Sequence, residues 1–552
     1  MNKAQKKIII VGGVAGGASA AARIRRLDEA AEIIMLEKGE YISFANCGLP
    51  YHIGGAIVER ERLLVQTPAS MHSRFRVDVR NFSEAVSINT KEKTITIQSK
   101  ERGVYEENYD VLVLAPGVEA GPLPIVNHAP GRVFSLRNIP DMDAIKEKIE
   151  NENIYSAAII GGGFIGLEMA EALKEKGLTV TLVEAMEHIM PPLDKEMAVL
   201  LEAELKNRGV SLRLGAKISS IEEENGMAVV ALDGQEAVRA ALVISAIGVR
   251  PATGFLKDSG VQLGSRGHIL TDAHLRTNAK DVYAVGDAIE VVDFVTGAPA
   301  AIPLAGPANK QGRIAADNIC GLNHSYKGTQ GSSVIKLFGL TAASTGANAR
   351  TLERLNIPYT AIYTHPFSHA TYYPGAAQMS CKLLFAPDSG NILGCQIVGE
   401  KGVEKRVDVV ATAMRLHATA ASLCELELCY APPYSSAKDP VNMLGYMALN
   451  ILEGKANIVD YRYMLNRNTE ETFLLDVRTP GEFARGHVAG AVNIPVDELR
   501  ARLEELPKDK EIIEYCQVGI RGHVAERILT NHGFRAVNVS GGWKTISTML
   551  PE

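Results

Sequence analysis

The chain has 552 residues, 46% of them hydrophobic and 22% charged, which is room for about three to four globular domains with full cores and no need of a disulfide or metal staple. A formal net charge of −6 argues against a dedicated nucleic-acid binder, and seven scattered cysteines without a CxxC pair exclude a disulfide scaffold and a structural zinc site. No apolar run approaches the roughly 20 residues of a membrane span, and the odd thiol count fits a reducing, cytoplasmic compartment.

The first elements lie in KKIIIVGGVAGGASAAARIRRL, from Lys6. Lys3, Lys6 and Lys7 ahead of an apolar run imitate a secretory signal, but the glycine spacing has a better explanation. A short β-rich run, a glycine turn and a helical pattern predict strand, turn and helix. The next strand, EIIMLEK, carries Glu37 at its end. Gly12 and Gly17 fit the first and third positions of a dinucleotide fingerprint. Val14 stands at the second, with Gly13 and Gly16 beside it. Glu37, 20 residues after Gly17, is placed to hold a ribose. SFANCGLPYHIGG follows, with Cys47 and no second cysteine nearby. A lone thiol cannot store two electrons as a local dithiol. A mixed disulfide with a small thiol, or a sulfenic acid, remains.

The same pattern recurs about 150 residues later in SAAIIGGGFIGLEMAEALKEKG, from Ser156. Gly161, Gly163 and Gly166 complete GxGxxG, and TVTLVEA places Glu184 18 residues after the last glycine. The first glycine permits the turn, the second lets a pyrophosphate approach, and the third lets the helix pack on its strand. The helix N-terminus then faces the phosphates. Glu184 can accept from a ribose 2′-hydroxyl and would repel a 2′-phosphate, so NADH is expected over NADPH. Two βαβ units imply α/β layers.

Further on, TNAKDVYAVGDA brings Gly286 and Asp287 to the end of a strand. From about 333 to 452, strands such as VIKLFGL, CKLLFAP and NILGCQIVG mix with helices and carry no glycine fingerprint. Cys424 and Cys429 share a CxxxxC spacing, but on a helix they would point about 140° apart. They are expected to be structural, as are Cys320, Cys381 and Cys395. The polar stretch 454–468 reads as a linker. TFLLDV, AVNIP, EIIEYC and AVNVSGG then alternate with helical stretches in a small α/β unit. Cys516 ends a buried strand and opens a CxxGxR loop closing at Arg521. Such a loop can aim backbone N–H groups at one sulfur and stabilise a thiolate or persulfide. A phosphatase-like loop is the alternative, but C-x4-R is one residue short of C-x5-R and suits a sulfur atom better.

Two nucleotide units and a late Gly-Asp resemble the pyridine nucleotide–disulfide oxidoreductase superfamily over roughly residues 6–320. The resemblance implies FAD on the first unit, with Gly286 and Asp287 at its ribityl chain, and NAD on the second. NADH peroxidases and oxidases of the single-cysteine branch carry a histidine where this chain has Ala15. SFANCGLPY instead looks like coenzyme A-disulfide reductase. Ser19, Arg23, Arg26, Ser43, Asn46 and Lys438 match that family, whose basic residues clamp the phosphates of coenzyme A. Tyr372, in HATYYPG, and Tyr430, in YAPPYSSAK, match segments that face coenzyme A from the neighbouring subunit. Their hydroxyls are expected to protonate or hold a departing sulfur. One departure is Phe75, near which the family has a lysine; Arg74 and Arg76 flank it. Cys47 is expected to react as a thiolate, its pKa lowered by a nearby helix N-terminus.

From about Thr472 the tail resembles a single rhodanese domain. Asp476, Arg478 and His487 match its strand-end and GHxxGAxNIP signatures and are expected to hold loops, with Cys516 carrying sulfur. The order of parts resembles the coenzyme A-disulfide reductase–rhodanese fusions and is similar to their NADH-dependent persulfide reductase subgroup. The implied fold is α/β: an FAD domain (1–150 and 250–330), an NAD domain (151–249), an α+β dimerisation domain (331–453), a linker (454–468) and a rhodanese domain (469–552). The implied reaction takes R–S–SH and NADH to R–SH and hydrogen sulfide, with FAD and coenzyme A. Reduction of coenzyme A disulfide is one alternative. A sulfurtransferase with a regulatory flavin part is another. Expected partners are small persulfides, polysulfides or CoA-linked sulfur, and a second copy of the chain completing each site; no nucleic acid and no membrane.

Overall fold

The computed structural model describes residues 5–550; Lys3 and the last two residues of the expected C-terminal domain lie outside them. The chain forms two compact units. The first comprises residues 1–187 and 209–331, the second 188–208 and 332–552.

Two parallel five-stranded sheets organise the first unit. One has the order Val282–Ala284, Val111–Leu114, Lys7–Val11, Glu32–Leu36, Val77–Arg80. Its centre, Ile8, Ile9 and Ile10, is buried on consecutive residues, as expected of a strand covered on both faces. The other runs Val210–Arg213, Thr179–Val183, Ser156–Ile160, Leu242–Ser245, Val133–Ser135. Its edge strand Val133–Ser135 comes from residues expected in the FAD domain. In each sheet a glycine turn links the central strand to a helix, Ala15–Leu27 in one and Phe164–Glu175 in the other.

The second unit holds an antiparallel sheet, in the order Ser333–Leu337, Leu340–Gly346, Ile392–Gly399, Ser380–Phe385, Thr360–Thr364. It also holds a parallel sheet, Ile458–Val459, Ala536–Val539, Glu511–Tyr515, Thr472–Asp476, Val492–Asn493. The stretch 454–468, expected as a linker, supplies the edge strand Ile458–Val459 and the helix Tyr461–Leu465, which buries Tyr461 and Met464. Around Cys424 the chain is a short 3-10 turn, Ala421–Glu425, and is extended from Leu426. The two thiols therefore do not share a helix.

A buried polar cluster ties this unit together. Lys382, 1% exposed, places Nζ 2.6 Å from Asp194 and 2.6 Å from Glu196. Tyr363 and Tyr461 also donate to Glu196, at 2.6 and 3.3 Å. Such a cluster is tolerable only because the one ammonium bridges both carboxylates and further hydrogen bonds reach each of them. The two sheets are seamed by further bonds. The Tyr363 N–H donates to Ser540 Oγ at 2.8 Å, His365 Nε2 lies 2.9 Å from Thr545 Oγ1, and Lys544 donates to Gln378 at 2.6 Å. Burial pushes His365 down to about 3, and Lys544 adds to this, so the ring is neutral at pH 7.

Candidate functional site

The two glycine turns meet the same steric demand. A Cβ on Gly12 would lie 2.1 Å from Ala115 O, and one on Gly17 1.9 Å from Gly12 O. On Gly161 and Gly166 the corresponding distances are 2.4 Å to Ala246 O and 1.9 Å to Gly161 O. Gly163 differs: a Cβ there would meet nothing within 4 Å. Nothing in the chain's own packing requires glycine at that position, and the space suits a pyrophosphate against the backbone. In the first turn Val14 stands before the helix, and the Gly13 N–H donates to Glu37 at 3.1 Å. Glu37 also accepts from Gly39 at 2.9 Å. Glu184 repeats the arrangement, accepting from Gly162 at 2.6 Å and Met186 at 2.8 Å. Each carboxylate keeps lone pairs for a ribose hydroxyl.

Gly286, with φ +81°, donates its N–H to Gln311 at 2.8 Å. Burial raises the pKa of neighbouring Asp287, and Arg137, at 3.9 Å, opposes the rise. Asn46 Oδ1 is buried without a hydrogen-bond partner from the chain. The open cradle at Gly163 fits NAD on the second turn, and the tight turn at Gly12 and Gly17 with Glu37 beside it fits FAD on the first.

Cys47 sits in the 3-10 turn Asn46–Gly48, ahead of the helix Leu49–Gly54. Its loop is anchored to the first glycine turn by the Ser43 N–H, which donates to Gly13 O at 2.8 Å. The residue is exposed, yet the walls around it withdraw enough water that burial pushes the thiol pKa up. Glu168 and Asp287 push it further, and only Arg137 opposes. The expected lowering by a helix N-terminus is thus corrected: the following helix has six residues, and desolvation with two carboxylates outweighs it. The sequence reading missed Glu168, Tyr51 and Arg137. Glu168 lies in the helix after GxGxxG and meets Tyr51 Oη at 3.3 Å. Burial, reinforced by Glu171, lifts it to about 7 against the Tyr51 bond. Its place beside the fingerprint is visible in the sequence, but the direction it faces is not.

The residues matched to coenzyme A are distributed over both units. Ser19 donates to Asn309 at 2.7 Å, and Arg23 is paired with Asp317 at 2.6 Å. Arg26 is exposed. Ser43 adopts a left-handed φ of +45°. In the second unit the hydroxyls of Tyr372 and Tyr430 meet at 2.8 Å, although both residues are exposed. The Tyr430 bond raises the Tyr372 pKa. A cavity of about 600 Å³ beside them is lined by Tyr430, His369, Lys401, Lys405 and Arg406. Lys438 is exposed on the same segment.

Cys516 follows the strand Glu511–Tyr515 and is fully buried. Its Sγ accepts from the Gly519 N–H at 3.1 Å, one residue before the twelve-residue helix Ile520–Asn531. Asp476 and Arg478 form a buried pair at 2.7 Å. Arg478 also donates to Gly486 O at 2.7 Å and lies over the Trp543 ring, holding the loops around Cys516. His487 stacks on Phe483 at 3.7 Å.

Three family models match in succession. Residues 6–312 match pyridine nucleotide-disulphide oxidoreductase, 332–440 its dimerisation domain, and 460–548 a rhodanese-like domain. Coenzyme A disulfide reductase of Staphylococcus epidermidis is 36% identical over 445 residues, covering 80% of this chain and 99% of that protein. The reduced Bacillus anthracis CoADR-RHD structure is 49% identical with a TM-score of 0.97, covering 100% of this chain and 99% of that one. A NAD-dependent persulfide reductase from A. fulgidus is 34% identical with a TM-score of 0.90, over 98% and 99% of the two chains. Among the described residues no helix is long and apolar enough to cross a membrane. The chain belongs to the pyridine nucleotide-disulphide oxidoreductase family and carries, beyond that family's dimerisation domain, a C-terminal rhodanese-like domain.

Proposed function

We propose that this enzyme reduces persulfides and polysulfides: R–S–SH + NADH + H⁺ → R–SH + H₂S + NAD⁺. Bound FAD supplies the passage of two electrons from NADH to sulfur at Cys47. The Cys47 thiolate attacks the inner sulfur of the persulfide. The bond to the outer sulfur breaks, hydrosulfide leaves, and a mixed disulfide R–S–S–Cys47 forms. Two electrons and a proton then break that disulfide, releasing R–SH and restoring the thiolate. Glu168, titrating at about 7, holds the proton beside this exchange. Ser19, Arg23, Arg26, Ser43, Asn46 and Lys438 would bind coenzyme A as the thiol partner of Cys47. Tyr372 and Tyr430 of a second copy would protonate the departing sulfur, and the site would be complete only in a homodimer. Glu37 and Glu184 would hold the riboses of FAD and NADH. The domain limits 1–150 with 250–330, 151–249, 331–453 and 469–552, and a cytoplasmic location, belong to the same proposal.

The observation that carries this reading is the Cys516 sulfur 3.1 Å from a backbone N–H at a helix start. A device for holding sulfane sulfur has no use in disulfide reduction, because a disulfide has none to hand over. The second reading, coenzyme A-disulfide reduction, is favoured by the Staphylococcus relative and by the paired tyrosines. NADH oxidation with glutathione persulfide, compared with coenzyme A disulfide, separates the two: faster turnover with the persulfide supports the first. A Cys47→Ser enzyme that still releases hydrogen sulfide with NADH overturns it. A Cys516→Ser enzyme that keeps persulfide turnover but loses thiosulfate-to-cyanide transfer assigns the rhodanese-like part to separate work.

A further inference from the structure

The loop from Cys516 to Arg521 carries a single cation, at its closing residue. That cation is already spent. Arg521 Nη1 and Nη2 each lie 2.7 Å from a carboxylate oxygen of Glu482, a two-pronged pair of the strongest kind. The pairing holds Glu482 down to about 2 and raises Arg521. Glu482 is fixed in turn by the Thr479 N–H and hydroxyl, at 3.0 and 2.9 Å. The second guanidinium that reaches the loop, Arg478, is matched in the same way. It gives Nε and Nη2 to Asp476, and its Nη1 reaches Gln517 Oε1 at 3.3 Å. On the strand itself, burial pushes the Glu514 carboxyl well above the usual carboxylate range, and Cys516 and Glu526 push it further. The Cys516 sulfur is therefore stabilised by the Gly519 N–H and a helix start, with both nearby arginines neutralised.

Backbone dipoles of this kind can carry one negative charge on a thiolate or perthiolate. A dianion calls for an uncompensated cation. We propose that Glu482 sets the donor specificity of the Cys516 site by neutralising Arg521, so that the site takes sulfur from alkyl persulfides and discriminates against dianionic thiosulfate. This rests on the reading of Cys516 as a sulfur carrier. With a persulfide, the Cys516 thiolate attacks the outer sulfur, the S–S bond breaks, and Cys516–S–SH and a thiolate RS⁻ result. With thiosulfate the same attack must expel sulfite, which carries two charges out past a loop whose two arginines are already paired.

The test is sulfur loading of Cys516 in the full-length holoenzyme, followed by mass spectrometry with glutathione persulfide or thiosulfate as donor. Glu482→Gln keeps a side chain that can still cap the short helix and frees Arg521. It should raise the thiosulfate loading efficiency by about tenfold, the worth of one freed charge-assisted hydrogen bond. Persulfide loading should change less than about twofold, and added salt should erode the gain. Glu482→Gln with Arg521→Gln should return thiosulfate loading to within about twofold of the parent, because the gain requires the freed guanidinium. Unchanged donor preference in Glu482→Gln, with Cys516 still loading from persulfide, overturns the specificity role alone. Loading from neither donor in the parent overturns the carrier reading, and this role with it.

Discussion

Tyr51 places its hydroxyl 3.3 Å from a carboxylate oxygen of Glu168, so the helix after Cys47 is joined to the helix after GxGxxG. Glu168 titrates at about 7 because burial lifts it and Glu171 adds repulsion. Its charge pushes the Cys47 thiol up. Glu168→Gln removes that charge, and the Cys47 thiol pKa should fall. The pH profile of Cys47 alkylation by iodoacetamide should move to lower pH. The parent profile should carry an inflection near pH 7, where Glu168 ionises, and the variant should lack it.

Gly163→Ala should separate folding from binding. Gly163 has φ −81°, open to any residue, and a Cβ there meets nothing within 4 Å. The melting temperature should stay within about 1 °C of the parent, since no mechanism for a large destabilisation is present. NADH affinity, followed by fluorescence titration, should fall by about tenfold or more because the methyl occupies the pyrophosphate's approach. Gly166→Ala should instead destabilise the fold, with a Cβ 1.9 Å from Gly161 O.

The tyrosine pair predicts a kinetic effect without a stability effect. Tyr372 is 74% exposed, so Tyr372→Phe removes little packing. If its hydroxyl protonates a departing sulfur, kcat with persulfide should drop by about a hundredfold. Adding Tyr430→Phe should cost little more, because the two hydroxyls share one hydrogen bond at 2.8 Å. Steady-state kinetics of the singles and the double check this.

Lys382→Met leaves Asp194 and Glu196 buried without their cation. Breaking a buried pair of this kind costs about 3–5 kcal/mol, read as a lower denaturation midpoint. Lys382 holds Glu196 down to about 2 against burial. Its folded pKa is depressed, so the stability it contributes is complete above the ordinary carboxylate value. That stability is lost as pH falls from about 4.5 towards about 2. In Lys382→Met the Glu196 pKa is no longer depressed, so the loss of stability between about 4.5 and about 2 should flatten, and the variant's deficit should be largest near neutral pH and shrink in acid.

The glycine turns were legible because their constraints are local: a turn, a helix and a strand packed within some twenty residues, repeated in Gly12–Gly17 and Gly161–Gly166. The loop at Cys516 was legible for the same reason. The pKa direction of Cys47 was not, because Glu168 and Asp287 reach it from distant segments and composition does not show which way they face. The polar stretch 454–468 concealed Ile458–Val459, since a two-residue strand is made by its partner Ala536–Val539 rather than by its own pattern. Spacing could not bring Tyr372 to Tyr430; only the family resemblance suggested that they work together. The Glu482–Arg521 pair joins two signatures that the sequence presents separately.

The seam between Tyr363 and Ser540, and between His365 and Thr545, has a logistic consequence. The helix Gly542–Ile546 that carries Thr545 also backs the reactive loop, since the Trp543 N–H donates to Cys516 O at 2.7 Å. Cys516 is thus bolted to the antiparallel sheet and cannot roam on a tether in search of its donor. If Cys516 carries sulfur as proposed, the donor must come to a stationary thiol, by free diffusion or on a long arm.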